Sequence, residues 1–172
     1  KRNPDGEVFM KNRETDEWLK QNQKATREFI RKWGHFVKHD QYLKPIIPSK
    51  YDLGLIVHNS NDQLLNVLEP WCSNIFIDHN GTQYVLNEDK VSSFDIVKRV
   101  RDVAEEKYND IVIEFDGSRF SNEDFRHIQN FAEILDHDND LHEEELPCEF
   151  QLGHLKITIN KIKTYENQLI KL

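Results

Sequence analysis

"LGLIVHN", Leu53–Asn59, is the stretch on which the fold turns. It is a continuous apolar run bounded by turn-forming residues, the pattern of a strand buried on both faces. Two further strands are predicted, "SNIFIDHNG" at Ser73–Gly81, which runs into a turn, and "DIVIEFDGS" at Asp110–Ser118. Between them lie segments of helical period. In "NDQLLNVLEPW", Leu64, Leu65 and Leu68 share a helical face and Pro70 ends it. "SSFDIVKRVRDVAEEKY", Ser92–Tyr108, predicts a long helix capped by Ser92 or Ser93, with Phe94, Val97, Val100 and Ala104 on its apolar face and Ile96 and Val103 beside them. "SNEDFRHIQNFAEIL", Ser121–Leu135, opens with a capping-box pattern and carries Phe125, Ile128, Phe131, Ala132 and Leu135 as a stripe. "TQYVLN", from Thr82, reads as a short additional strand. "CEFQLGHLKITINKIK", from Cys148, alternates at period two and predicts a hairpin around Gly153 or one bent strand, and the tail from Thr164 reads as helical.

Strand, helix, strand, helix, strand, helix implies right-handed crossovers. The expected fold is α/β: a Rossmann-like, mainly parallel sheet of three to five strands with an N-terminal helical arm, the last strands joining antiparallel at an edge. Residues 53–172 form this domain, and residues 39–52 (Pro45, Pro48) form an extended linker whose Ile46-Ile47 pair lies against a surface.

Residues 1–38 form the arm. After a turn at Asn3-Pro4-Asp5-Gly6, a helix is predicted from about Thr15 to Trp33, with Thr15 as N-cap, Asp16 and Glu17 at the positive end of the dipole and Arg31 and Lys32 at the negative end. Gly34 is the natural stop, because a left-handed conformation costs it nothing. Trp18, Ala25, Phe29 and Trp33 fall on one stripe, expected to be the buried one, with the cations on the wet side.

The chain has 172 residues, 31 % of them charged, and a formal net charge of −8. That balance speaks against nucleic acid and anionic membranes as partners of the whole surface. No apolar run approaches the roughly 18 residues that span a bilayer. Cys72 and Cys148 are far apart and lack CxxC spacing, which suits two reduced thiols and a cytoplasmic setting. The opening KRNPDG suggests a processed product or the C-terminal piece of something longer.

The candidate ligand residues are Asp78 and Asp116, each just past the carboxyl end of a predicted strand, where open α/β sheets bind ligands. An acid there can accept from a sugar hydroxyl or hold a metal; the competing reading is a turn cap. "DHDNDLHEEE" from Asp136 spaces Asp136, Asp138 and Asp140 like the start of a calcium loop, but Leu141 stands where that loop needs Gly and Pro147 where it needs Glu. A divalent metal is the only cofactor that this segment suggests. His35 and His39 are four apart and suit zinc only if the helix continues through Gly34. Neither GxGxxG nor GxxxxGK[ST] is present, so no phosphate-cradling loop can be argued. Trp18, Phe29 and Trp33 are the candidate partner-docking residues, because a short arm cannot bury such a stripe alone.

"NRETDEWLKQNQKATREFIRKWG", from Asn12, resembles a segment near the C-terminal end of the catalytic domain of family 2 (GT-A fold) glycosyltransferases. The matching residues are Asn22, Arg27, Phe29, Lys32, Trp33 and Gly34, and the resemblance covers about residues 12–40. It implies a longer transferase whose nucleotide-sugar pocket and metal-binding acids lie upstream, so it assigns no catalytic residue here. On that reading residues 50–172 are an appended, non-catalytic domain that positions a partner or a glycan, with an upstream catalytic domain or another subunit as its neighbour. The alternatives are a freestanding nucleotide- or sugar-binding enzyme module using the strand-end acids, and a pure interaction or assembly protein.

Overall fold

The computed structural model describes residues 15–79, 81–137 and 145–162. Helix α1, Asp16–Trp33, begins as its sequence predicts: Thr15 is extended and its hydroxyl accepts the Trp18 N–H at 3.2 Å. It ends at Gly34, whose φ of 79° lets its N–H reach the Ile30 carbonyl at 2.7 Å. A small antiparallel ribbon follows in what reads as linker, β1 (Lys38–His39) and β2 (Pro45–Ile46). Asp40 Oδ1 closes its turn by accepting the N–H groups of Tyr42 and Lys44 at 2.8 and 2.9 Å.

The domain proper runs β3 (Leu53–His58), α2 (Asp62–Leu68), a 3₁₀ turn (Glu69–Trp71), β4 (Asn74–Ile77), α3 (Thr82–Glu88), α4 (Ile96–Arg99), β5 (Val100–Asp102), β6 (Ile111–Asp116), a second 3₁₀ turn (Gly117–Arg119), α5 (Asn122–Gln129), α6 (Phe131–His137), β7 (Cys148–Leu152) and β8 (Leu155–Ile159). The six-stranded sheet has the order β5-β4-β3-β6-β8-β7, with β5, β4, β3 and β6 parallel and the β7–β8 hairpin antiparallel at one edge. The fold is thus α/β and Rossmann-like, with one strand more than the upper bound read from sequence.

Leu55 sits in register between Ile75 and Ile113, and Ile113 faces Ile157. All four are fully buried. They share one cluster with Leu65, Leu68, Ile96, Ile128, Phe131 and Leu135 from the helices, each such side chain worth about 1.5–3 kcal/mol in transfer terms. The opposite face carries Ile56 and Phe76, and Lys107 from the loop before β6 lies 5.3 Å from the Phe76 ring centroid. Both cysteines are free thiols; Cys72 is buried and its pKa is pushed up by burial.

Four local expectations are corrected. The segment from Thr82 is helix, because parallel β4 and β5 require a crossover that a strand there could not supply. The long helix predicted over Ser92–Tyr108 is reduced to one turn, and Val100–Asp102 pairs with β4 instead; three β-branched valines fit either state, and edge pairing decides. The helix from Ser121 breaks into two at Asn130, whose amide N–H and side chain both cap Arg126 O.

The last correction concerns the buried face of α1. Its buried residues are Ile30 and Arg31, while Trp18 is 37 % exposed and Phe29 and Trp33 are only half-buried. A cation therefore faces inward where the apolar stripe was expected, and Ile46 and Ile47 remain exposed.

Candidate functional site

The parallel strands β4, β3 and β6 end side by side, which brings the loops after them together at one edge. Asn59 follows β3 with φ of 50°, a left-handed conformation that asparagine tolerates better than most residues. That geometry turns its backbone N–H onto the Asp78 carboxylate and lets its side-chain Nδ2 donate to Asp116 Oδ1 at 3.0 Å. Ser60 adds two donors to Asp78 Oδ1, its N–H at 3.0 Å and its hydroxyl at 2.7 Å. Asp116 Oδ1 also accepts the N–H and hydroxyl of Ser118 at 2.9 and 2.7 Å. Asn59 thus links the two acids predicted from sequence.

The link leaves little room between them. A Cβ on Gly117 would stand 2.8 Å from Leu64 Cδ1 and 3.0 Å from the Asn59 carbonyl oxygen, so the β6 turn closes directly on the β3 loop. The crevice where the strand order reverses, the usual ligand seat of such sheets, is filled by the chain itself.

Both acids are held in the ionised form. The Ser60 hydroxyl, with the two backbone N–H groups beside it, lowers Asp78 to about 2. The Ser118 hydroxyl and the Asn59 side chain lower Asp116. Next to Asp78, His79 Nδ1 is 2.6 Å from Ser60 Oγ and its Nε2 is 3.2 Å from Asp62 Oδ1.

Open space lies to one side of this knot. A cleft of about 470 Å³ sits at the ends of β4 and β5, between α3 and α4. Val85, Leu86, Val97 and Val100 form its apolar wall, and Asp78, His79, Thr82, Arg101 and Asp102 supply its polar groups. Arg101 Nη1 is 3.2 Å from Glu105, in a half-exposed pair that a ligand anion can compete with. Asp102 accepts the Ala104 N–H at 2.7 Å. Asp78 faces the cleft; Asp116 does not line it.

At the same edge, buried Asp124 accepts from Ser121 and from the backbone N–H and Nδ1 of His154, tying the start of α5 to the β7–β8 turn. Burial alone would raise its pKa; the Ser121 and His154 hydrogen bonds outweigh this and depress it.

Of the acidic trio, only Asp136 falls among the described residues. Asp136 is occupied with the Tyr51 hydroxyl at 2.8 Å and the Ser49 N–H at 3.2 Å, and Asp138 and Asp140 lie outside the described residues. Among the described residues no group of three or more His, Cys, Asp or Glu is placed to hold a metal. His35 and His39 do not share a helix face, since the helix ends at Gly34: His35 is buried and His39 is exposed on β1.

Sequence reasoning missed a second cluster. Glu69, completely buried, accepts from Arg31 Nη2 at 2.6 Å, from the Tyr84 hydroxyl at 2.7 Å and from Arg99 Nε. Arg31 also pairs with Glu28 at 2.8 Å and with Glu88, and Arg27 reaches Glu88 at 2.8 Å. Burial works to raise the Glu69 pKa, but the Arg31 hydrogen bonds and the Arg99 charge outweigh it and hold Glu69 ionised. These contacts fasten α1 to the domain. The available signal was Glu69 itself, a charge directly before Pro70-Trp71 in an apolar setting.

Comparison with protein-family models, with curated proteins and with solved structures gave no match. No helix among the described residues is long and apolar enough to cross a membrane.

Proposed function

We propose that the chain is a binding module, not itself catalytic, that holds a sugar or a sugar nucleotide in the cleft beside Asp78. In a glycosyltransferase-like protein, the setting implied by the resemblance of residues 12–40, the ligand would be a glycan positioned for an upstream catalytic domain; a sugar nucleotide there would instead favour the freestanding module. One observation carries the reading: two carboxylates and a guanidinium, Asp78, Asp102 and Arg101, meet an apolar wall in one open cleft at the carboxyl edge. Carboxylates accept sugar hydroxyls, arginine suits a phosphate or a further hydroxyl, and the valine-rich wall suits the face of a base or sugar ring. The low pKa of Asp78 favours positioning over proton transfer, because a group lowered to about 2 is a weak base at neutral pH.

Thermal-shift titration tests this with uridine, guanosine and adenosine diphosphate sugars, with and without manganese, and with free oligosaccharides. Saturation by one of them at 100 times its Kd adds about 2.7 kcal/mol to stability, a rise of several degrees. Arg101→Ala, which alters the cleft and leaves the core intact, should cancel that rise. A rise with oligosaccharide alone assigns the ligand as glycan. No rise with any of them, or a rise unaffected by Arg101→Ala, overturns the reading.

A further inference from the structure

The outermost strand of the sheet, β7, pairs on one side only. Its ladder with β8 runs without a bulge from Cys148 opposite Ile159 to Leu152 opposite Leu155, and among the described residues no segment pairs with its other side. Such edges are usually blunted by a proline, a lysine or a bulge within the strand. Cys148–Leu152 has none of these. The opposite edge, β5, is only three residues long.

The hairpin fixes which groups point outward. Its two-residue loop, Gly153-His154, makes Leu152 and Leu155 a hydrogen-bonded pair, and such pairs alternate along an antiparallel ladder. Leu152, Phe150 and Cys148 therefore direct their backbone groups to β8, and Glu149 and Gln151 turn theirs outward. Pro147 is the next outward position and has no N–H, so a ladder on this edge ends there. The side chains of Cys148, Phe150 and Leu152 stand on the face that carries the helices, beside Ile159, Ile157 and Leu155, and Phe150 is left 38 % exposed. On the other face Glu149 is 3.3 Å from Lys156, the one acid and the one base of the hairpin strands. The edge thus takes no share of the net charge of −8.

We propose that β7 pairs antiparallel with β7 of a second copy of this chain, about a two-fold axis at Phe150. The outward groups select this register. Glu149 exchanges both backbone hydrogen bonds with Gln151 of the second copy, and the symmetry repeats the exchange, so the outward groups of both residues are all paired. Phe150 meets Phe150 of the second copy at the close, non-hydrogen-bonded position on the apolar side. An axis at Glu149 would oppose two carboxylates and bring Pro147 into the ladder; an axis at Gln151 would set Glu149 against the Gly153 turn. The strand is its own complement, which favours a second copy over an unrelated strand. The inference is independent of the ligand cleft, which lies at β4 and β5, toward the far edge of the sheet. Pairing through β7 leaves that cleft open and sets two ligand sites on one continuous sheet.

Backbone pairing of one short strand with one aromatic contact is a smaller interface than that of a permanent dimer, so the association is reversible and is read from about 10 µM to about 1 mM. In sedimentation of the full chain over that range, the weight-average mass should climb from 20.5 kDa toward twice that value. Gln151→Pro removes an outward N–H and no bond to β8, and should weaken association roughly tenfold or more. Cross-linking reads the register in a Cys148→Ser background. Phe150→Cys sets the introduced thiols on Cα atoms about 4.5 Å apart, within reach of a disulfide, and mild oxidation should give a covalent dimer. Glu149→Cys sets them about 8 Å apart and should not. A mass that stays at 20.5 kDa at the highest concentration overturns the proposal without reliance on any variant, and is the result expected if the chain's own tail covers the edge. So does a dimer that Gln151→Pro leaves intact, or a Glu149→Cys chain that cross-links as fast as Phe150→Cys.

Discussion

Replacing Glu69 by Gln removes one negative charge from the most enclosed polar position in the domain. The carboxylate is fully buried and is shared by Arg31, Arg99 and Tyr84, with Arg27 Nη2 also 3.6 Å away. Gln keeps the shape and one acceptor oxygen, but its amide N–H₂ then faces guanidinium donors. Arg31, itself 2 % exposed, keeps only Glu28 and Glu88, and Arg99 has no other carboxylate contact among the described residues. Breaking a buried pair by removing one partner costs about 3–5 kcal/mol, mostly the penalty of the stranded charge.

For a domain of this size that is a fall in Tm of roughly 10 °C or more. Urea unfolding followed by circular dichroism reads it directly, with the slope unchanged and the midpoint lowered. Amide exchange at Ile30 and Arg31 should quicken as well, because the cluster is what holds α1 to the 3₁₀ turn. The control is Asp95→Asn, at the exposed pair with Lys98, which should leave the midpoint within error. A Glu69→Gln protein as stable as the unaltered chain would refute the reasoning, since it would mean that the arginines are solvated and the arm is not seated through them.

Two smaller predictions concern the same arm. Glu28 is lowered from 4.5 to about 2: burial opposes the shift, and the hydrogen bonds from Ser93 and Ser92, with that from Arg31, outweigh it. A depressed carboxylate stabilises above its unfolded pKa and loses that contribution as pH falls, so Glu28→Gln should be less stable than the unaltered chain at pH 7. The gap should close between about 4.5 and about 2; urea midpoints across pH that keep a constant gap would contradict this. Gly34→Ala should cost about 1 kcal/mol or more, because φ of 79° is a left-handed conformation that a Cβ disfavours; thermal melts that do not move would show that the helix stop relaxes at no cost.

The three central parallel strands could be read from sequence because each is a short stretch rich in apolar residues with turn residues on both sides, a signal contained within a few positions. The ends of α1 could be read for the same reason: Thr15 and Gly34 act on the backbone within one turn. The residues from Thr82 and from Val100 could not. Tyr84-Val85-Leu86 and Val97 to Val103 satisfy helical and strand patterns alike, and the choice came from β5 pairing beside β4. The candidate site divides in the same way. Asp78 and Asp116 were identifiable as acids at strand ends, but the Asn59 link between them depends on three loops meeting. Arg101 and Asp102 join the cleft only because β5 is a strand.

The sequence by itself determined the α/β class, the parallel core and the carboxyl-edge position of the two acids, since composition, period and capping act over short spans of chain. Tertiary structure alone decided which face of α1 turns inward. The apolar stripe of Trp18, Phe29 and Trp33 argued for one face, but Glu69, buried 38 residues further along and needing guanidinium partners, argued for the other. A buried carboxylate without a cation costs more than a half-exposed ring. That balance put Arg31 in the core and left Phe29 and Trp33 facing outward.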